Sequence, residues 1–252
     1  MFLIFTFLFG MLIGSFLNVV IYRLPRDENI AFPPSHCPKC GWKIKPWENI
    51  PVISYLFLRG KCSSCKNKIS PIYPFIELLT GVLFALAYWK YSFTPQGYIS
   101  VIFISILICI FFIDLEHYII PDSLLVTLLI VSVLKLFILN QPAFWNALIT
   151  TGITFLFFYL VYILSKEKFG GGDVKLFTLL AFYFGWPLIN LLIVLASVSG
   201  LLIAGILILA GIIKKDEPIP FGPFIVFSSI ITLFYGEELW TIYEEMILVL
   251  LL

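Results

Sequence analysis

Residues 105–122 read SILICIFFIDLEHYIIPD. A wholly apolar run stops at an aspartate, Asp114, and the chain then passes through Glu116 and His117 to a Pro121-Asp122 step. A carboxylate at the edge of hydrocarbon is expensive unless it has work or a partner, so Asp114 is a functional candidate by position alone. The run before it is a stretch of helix lying in lipid.

The rest of the chain extends that reading. Of 252 residues, 61% are hydrophobic and 12% charged, with a mean hydropathy of +1.04, far from the roughly half apolar, quarter charged usage of soluble domains. Uncharged stretches at 1–22, 91–113, 136–165 and 176–213 are long enough to cross about 30 Å of hydrocarbon, and in that solvent every backbone polar group must be paired internally. The expected fold is an all-α polytopic membrane protein. It has about eight transmembrane helices, near 1–22, 75–90, 98–114, 121–139, 143–165, 174–184, 187–213 and 221–236, and the tail from Glu237 either crosses or lies in the interface. The first helix has no basic start and no small-residue cleavage site, so it reads as an uncleaved span. Gly10 and Gly14 carry the GxxxG spacing of close helix packing.

Between Arg23 and Pro74 there are nine Lys or Arg against three acids. The positive-inside rule makes this loop cytoplasmic and the N-terminus external, in a multi-pass protein of the cytoplasmic membrane. Lys166, Lys168, Lys175, Lys214 and Lys215 then fall at cytoplasmic ends, and Lys90 and Lys135 near the outer side. The partner this implies is the lipid bilayer; no nucleic acid is expected.

The loop at 23–74 is too small to bury a self-sufficient core, but it contains Cys37-Pro38-Lys39-Cys40 and Cys62-Ser63-Ser64-Cys65, 21 residues apart, close to zinc-ribbon spacing. Four thiolates close a tetrahedral Zn²⁺ site and leave no position for water, so the expected metal is structural. Two disulfides or a redox pair are the other uses of such cysteines, the first disfavoured in a reducing compartment. Cys109, inside an apolar helix, reads as a small packed hydrophobe.

A second carboxylate matches Asp114. Asp173 follows three glycines in GGGDVKL at 170–176, where missing side chains let a substrate strand or another helix approach the backbone. Both acids fall at the same membrane edge on this topology. Two carboxylates in contact share a proton, so one can deprotonate water while the other protonates the carbonyl or leaving group. The plainer readings are Asp173 as an N-cap and Asp122 as another; for Asp122 the cap is the favoured one. Glu116 and His117 read as solvated turn residues. Helix direction alone, with Asp114 ending one helix and Asp173 starting another, makes Asp173 the ionised base and Asp114 the proton carrier.

Taken together these residues resemble the type IV prepilin peptidases, or leader peptidase/N-methyltransferases, of the GxGD aspartyl protease group. The resemblance runs through GSFLNVVIYRLP at 14–25, the two cysteine pairs with NIP at 49–51 between them, and ISPIYPFIELLTG at 69–81. It continues through Asp114 to Asp122 as the DxxxxxxPD segment, GGGDVKL as GxGDxKL, and PFGPF at 220–224. The resemblance implies that Asp114 and Asp173 are the catalytic aspartates and that Cys37, Cys40, Cys62 and Cys65 hold structural zinc. Residues 23–74 then form a methyltransferase-associated insertion and 75–252 the peptidase helices. The implied substrates are type IV prepilins or pseudopilins, cut after a glycine to free a short basic leader. The new amino terminus, usually of phenylalanine, is then methylated from S-adenosylmethionine. No Gly-rich βαβ nucleotide site is visible for that cofactor. An intramembrane GxGD protease without methyl transfer, or a proton-coupled carrier or scaffold, would use the same acids differently.

Overall fold

The structure, a computed structural model, is described for residues 1–166, 169–214 and 218–251, with side chains to Met246. Lys168 and Lys215, two of the basic residues used for the topology, lie outside the described residues. Among those described there are nine α-helices: α1 (Phe2–Arg23), α2 (Ile53–Phe57), α3 (Ile72–Tyr91), α4 (Pro95–His117), α5 (Asp122–Leu139), α6 (Phe144–Leu164), α7 (Gly171–Phe184), α8 (Leu188–Leu209) and α9 (Gly222–Leu251). Seven of them are long and apolar enough to cross a membrane. The two outside that set are α2, five residues long, and α7, the one expected span that falls short: its 14 residues rise about 21 Å at 1.5 Å per residue, against about 30 Å of hydrocarbon. The tail from Glu237 starts no new element, because α9 continues through it. The chain divides into two compact units, Met1–Cys109 and Ile110–Leu252.

In the first unit α1 lies along α3, and the small residues expected to favour close packing meet each other within the chain. A Cβ on Gly14 would fall 2.8 Å from the Glu77 Cα, and one on Gly10 2.9 Å from the Gly81 Cα; Gly81 in turn has Met11 and Phe7 against it. The GxxxG face is thus spent on α3. Gly14→Leu is expected to destabilise the chain by about 1–3 kcal/mol through overpacking, read as a lower thermal midpoint in detergent. Gly152→Leu on α6, where an added Cβ meets nothing within 4 Å, serves as the neutral control.

Arg23, one of the charges used for topology, is buried, and its guanidinium donates to the carbonyls of Asn29, Ile30 and Pro33 at 2.9, 3.2 and 2.7 Å. It pins the chain leaving α1. Beyond it the insertion has little regular structure: two short 3₁₀ turns, α2 and two isolated antiparallel bridges, His36 with Lys43 and Lys61 with Lys68.

In the second unit α7 packs between neighbours, chiefly α6 and α5, and buries Leu176, Phe177, Leu180, Ala181 and Tyr183. It ends at Gly185 (φ +67°), where a side chain would meet Pro142 and Asn146. Asn146 then clamps Trp186 from both sides of its amide, donating to its carbonyl at 3.0 Å and accepting from its N–H at 2.8 Å. Lys135 is buried as well: its Nζ donates to the Tyr183 carbonyl at 2.9 Å and stands 4.1 Å over the Tyr183 ring. A cation there complements the negative end of α7.

Candidate active site and metal centre

The second unit brings the two sequence-selected aspartates together. Asp114 sits in the last turn of α4, 5% exposed, and Asp173 in the first turn of α7, 9% exposed. The carboxyl groups are close enough for direct electrostatic interaction. Two buried acids within reach of each other's charge are the arrangement from which a proton-sharing pair is made.

Asp173 is not a helix cap. The N-cap of α7 is Gly170 and makes no side-chain cap bond. The glycines before it have separate reasons. A Cβ on Gly170 would lie 2.7 Å from Asp173 Oδ2, and one on Gly172 3.2 Å from Ile120, whereas one on Gly171 would meet only Tyr162 at 3.8 Å. Gly170 therefore makes room for the aspartate itself and Gly172 for the α4–α5 connection, rather than for a substrate strand. The middle position of GxGD tolerates a side chain.

Asp122 corrects its expected role. The N-cap of α5 is Pro121, without a side-chain cap bond, and Asp122 instead accepts from Lys175 Nζ at 2.7 Å. The pair is exposed, at 73% and 58% of side-chain area, so it adds little stability, but it ties the starts of α5 and α7 together beside the aspartates. Glu116 and His117 complete the last turn of α4 rather than forming a loop, with Glu116 exposed.

One member of the site escaped residue-level reading. The N–H of Gly222, the first residue of α9, donates to Asp114 Oδ2 at 2.9 Å. Pro223 behind it has no N–H, and a Cβ on Gly222 would fall 2.5 Å from the same oxygen, so only glycine brings its amide this close. The GP step at a helix start is the sequence signal for such a free, approachable amide. With the N-terminus of α9 aimed at Asp114, the direction of α4 no longer decides which aspartate carries the proton. Phe221 anchors the approach: its ring lies 6.0 Å from that of Phe169 and 6.1 Å from that of Phe177, which stacks on Phe158 at 4.1 Å. Gly200 of α8 leaves the space that Phe221 fills.

In the first unit the Sγ atoms of Cys37, Cys40, Cys62 and Cys65 all lie within 4.8 Å of one another, with none in a disulfide. Four thiolates around Zn²⁺ at about 2.3 Å stand roughly 3.8 Å apart, and Cys37 and Cys65 are separated by 3.9 Å. The two halves are built alike. The Cys37 amide donates to the Trp42 carbonyl and its carbonyl accepts from Gly41 (φ +70°); the Cys62 amide donates to Asn67 and its carbonyl accepts from Lys66 (φ +61°). Burial pushes the Cys37 thiol up, but the Lys39 and Cys40 amides and its sulfur neighbours outweigh that and bring it down to about 7. Cys65 goes the other way: the Asn67 amide pulls it down, yet partial desolvation and the other thiols raise it to about 11. Thiols this crowded do not all ionise without a cation, and a bound metal removes that conflict. The donor set fits a metal ion. Cys109 is buried in α4, as expected of a packed hydrophobe.

A buried aspartate pair on separate helices of a multi-pass membrane protein is the arrangement that aspartyl hydrolase chemistry uses. Residues 8–91 match the bacterial peptidase A24 N-terminal domain family, and residues 101–205 the type IV leader peptidase family. The chain is 34% identical to the prepilin leader peptidase/N-methyltransferase of Pseudomonas aeruginosa, over 97% of this chain and 94% of that protein. It is 33% identical to the Bacillus subtilis protein of the same name, over 96% and 98%, and 35% identical to that of Legionella pneumophila, over 92% and 91%. The chain belongs to the type IV prepilin leader peptidase/N-methyltransferase family. No solved structure matches it.

Proposed function

We propose that this protein removes the short basic leader of type IV prepilins or pseudopilins and then methylates the exposed amino terminus. The buried pair of Asp114 and Asp173, with Gly222 bonded to the first, carries this reading. One carboxylate takes a proton from water as the water attacks the scissile carbonyl, and the other protonates the departing amine. The Gly222 amide fixes the orientation of Asp114, and the phenylalanines around Phe221 keep α9 in place. Residues 23–74 belong to the methyl-transfer half and 75–252 to the peptidase. The site faces the cytoplasm, with the N-terminus outside, which puts the aspartates level with a basic leader attached to an apolar pilin helix.

Cys37, Cys40, Cys62 and Cys65 hold one zinc ion, which supplies folding free energy to a loop that lacks a core. The purified chain is expected to contain about one Zn²⁺ per molecule by metal analysis, and Cys62→Ser to lose the metal and expose the loop to protease. Full protease resistance after chelation would contradict this.

S-adenosylmethionine is the methyl donor. Incubating the purified chain with a prepilin peptide and labelled S-adenosylmethionine tests both halves. The expected products are a short free leader and a mature peptide bearing the labelled methyl group. A cut inside the apolar segment would identify an intramembrane protease, and no cut at all a carrier or scaffold.

A further inference from the structure

We infer that a cavity of about 380 Å³ in the first unit, between the cysteine module and the adjoining ends of α1 and α3, is where the methyl donor meets the freed amino terminus, and that Glu77 receives that terminus. This rests on the methyltransferase reading above and gives it a location. The volume lies in the roughly 300–1,000 Å³ range of small-molecule sites. Ser15, Asn18 and Tyr22 of α1, Trp42 and Tyr55 of the module and Glu77 of α3 are among its walls.

Glu77 is the observation that points to a cationic ligand. It is 8% exposed on an apolar helix. Its Oε2 accepts the Val52 amide at 2.7 Å, and Ser15 of α1 lines the same cavity. Among the described residues no cation pairs with it. A carboxylate has about four acceptor positions, so about three remain, and a buried acid without a counter-charge in a membrane helix is a functional candidate. Val52 adds a second sign: this β-branched residue is held at φ +60°, a conformation that persists only where its surroundings impose it and that clusters at ligand sites. Glu77 as a mere tether of the loop accounts for the Val52 bond, but for neither the cavity nor the missing counter-charge.

Both reactants carry positive charge, the amino terminus as ammonium and the donor as sulfonium, and the aromatic walls suit an adenine ring and a sulfonium methyl. Glu77 takes one proton from the ammonium. The freed nitrogen lone pair forms the N–CH₃ bond as the S–CH₃ bond breaks, and that electron pair stays on sulfur. The sulfonium becomes a neutral thioether and the nitrogen a methylammonium, and Glu77 passes its proton to water.

The test uses the full chain, zinc-loaded in lipid nanodiscs, with a pre-cleaved pilin peptide and labelled S-adenosylmethionine. Glu77→Gln is expected to slow methylation by about 100-fold or more while leader cleavage continues. Ser54→Trp, which fills the cavity from a wall position, is expected to weaken donor binding by about tenfold or more, again with cleavage retained. Wild-type methylation in Glu77→Gln, or wild-type donor binding in Ser54→Trp, overturns the site; should Glu77→Gln fail to fold, Ser54→Trp decides. A wild-type chain that cleaves but neither binds the donor nor transfers methyl overturns the methyltransferase reading itself, a result distinct from failure of the variants.

Discussion

Asp114→Asn and Asp173→Asn are each expected to reduce leader cleavage by about 10³-fold or more in protein that still binds zinc and still methylates a pre-cleaved peptide. The amide is nearly isosteric with the acid, so packing among the buried side chains of α4 and α7 is kept. What it loses is the ability to exchange a proton with water or with the departing amine. In the proposed division of labour methyl transfer uses neither aspartate, and it serves as an internal measure of folding. A rate of cleavage near wild type in either variant, measured by leader release, would remove that residue from the chemistry.

The second large effect is expected from a single methyl group. Gly222→Ala puts a Cβ 2.5 Å from Asp114 Oδ2, so either the carboxylate or the start of α9 must move and the 2.9 Å bond from the Gly222 amide is lost. Displacing a catalytic group by about 1 Å costs on the order of 100-fold in rate. Gly171→Ala makes the same chemical change beside Asp173, where the nearest atom to an added Cβ is 3.8 Å away, and should leave cleavage near wild type. Equal effects of the two substitutions on the cleavage rate would mean that the Gly222 contact does not position Asp114.

The contrast between these glycines marks what could be read from the sequence. The helices were legible because an apolar run of membrane length has one stable form in hydrocarbon, and seven of the eight expected segments are long and apolar enough to span. Asp114 stood out because a charge closing such a run needs a reason. The reasons for individual glycines were not legible, since they depend on what arrives from elsewhere in the chain: α3 at Gly10 and Gly14, Asp173 at Gly170, Asp114 at Gly222. Asp122 showed the same limit. Its place after Pro121 suggested a cap, but Lys175 reaches it through space at 2.7 Å, and a through-space partner outweighs a local preference. Glu77 lay inside a stretch already noted for its family resemblance. Its burial and its hold on Val52 appear only once the insertion folds back against α1 and α3.

The claim on which the account stands is that Asp114 and Asp173 act as one unit. Residues that do so are grossly non-additive on removal. The direct measurement is the single-turnover cleavage rate of a prepilin peptide by the double variant Asp114→Asn/Asp173→Asn, beside the two single variants. A double-variant rate within a few-fold of either single variant is the predicted result. Losses that multiply, so that the double variant falls by the product of the two single effects, would show two independent groups and contradict the shared site.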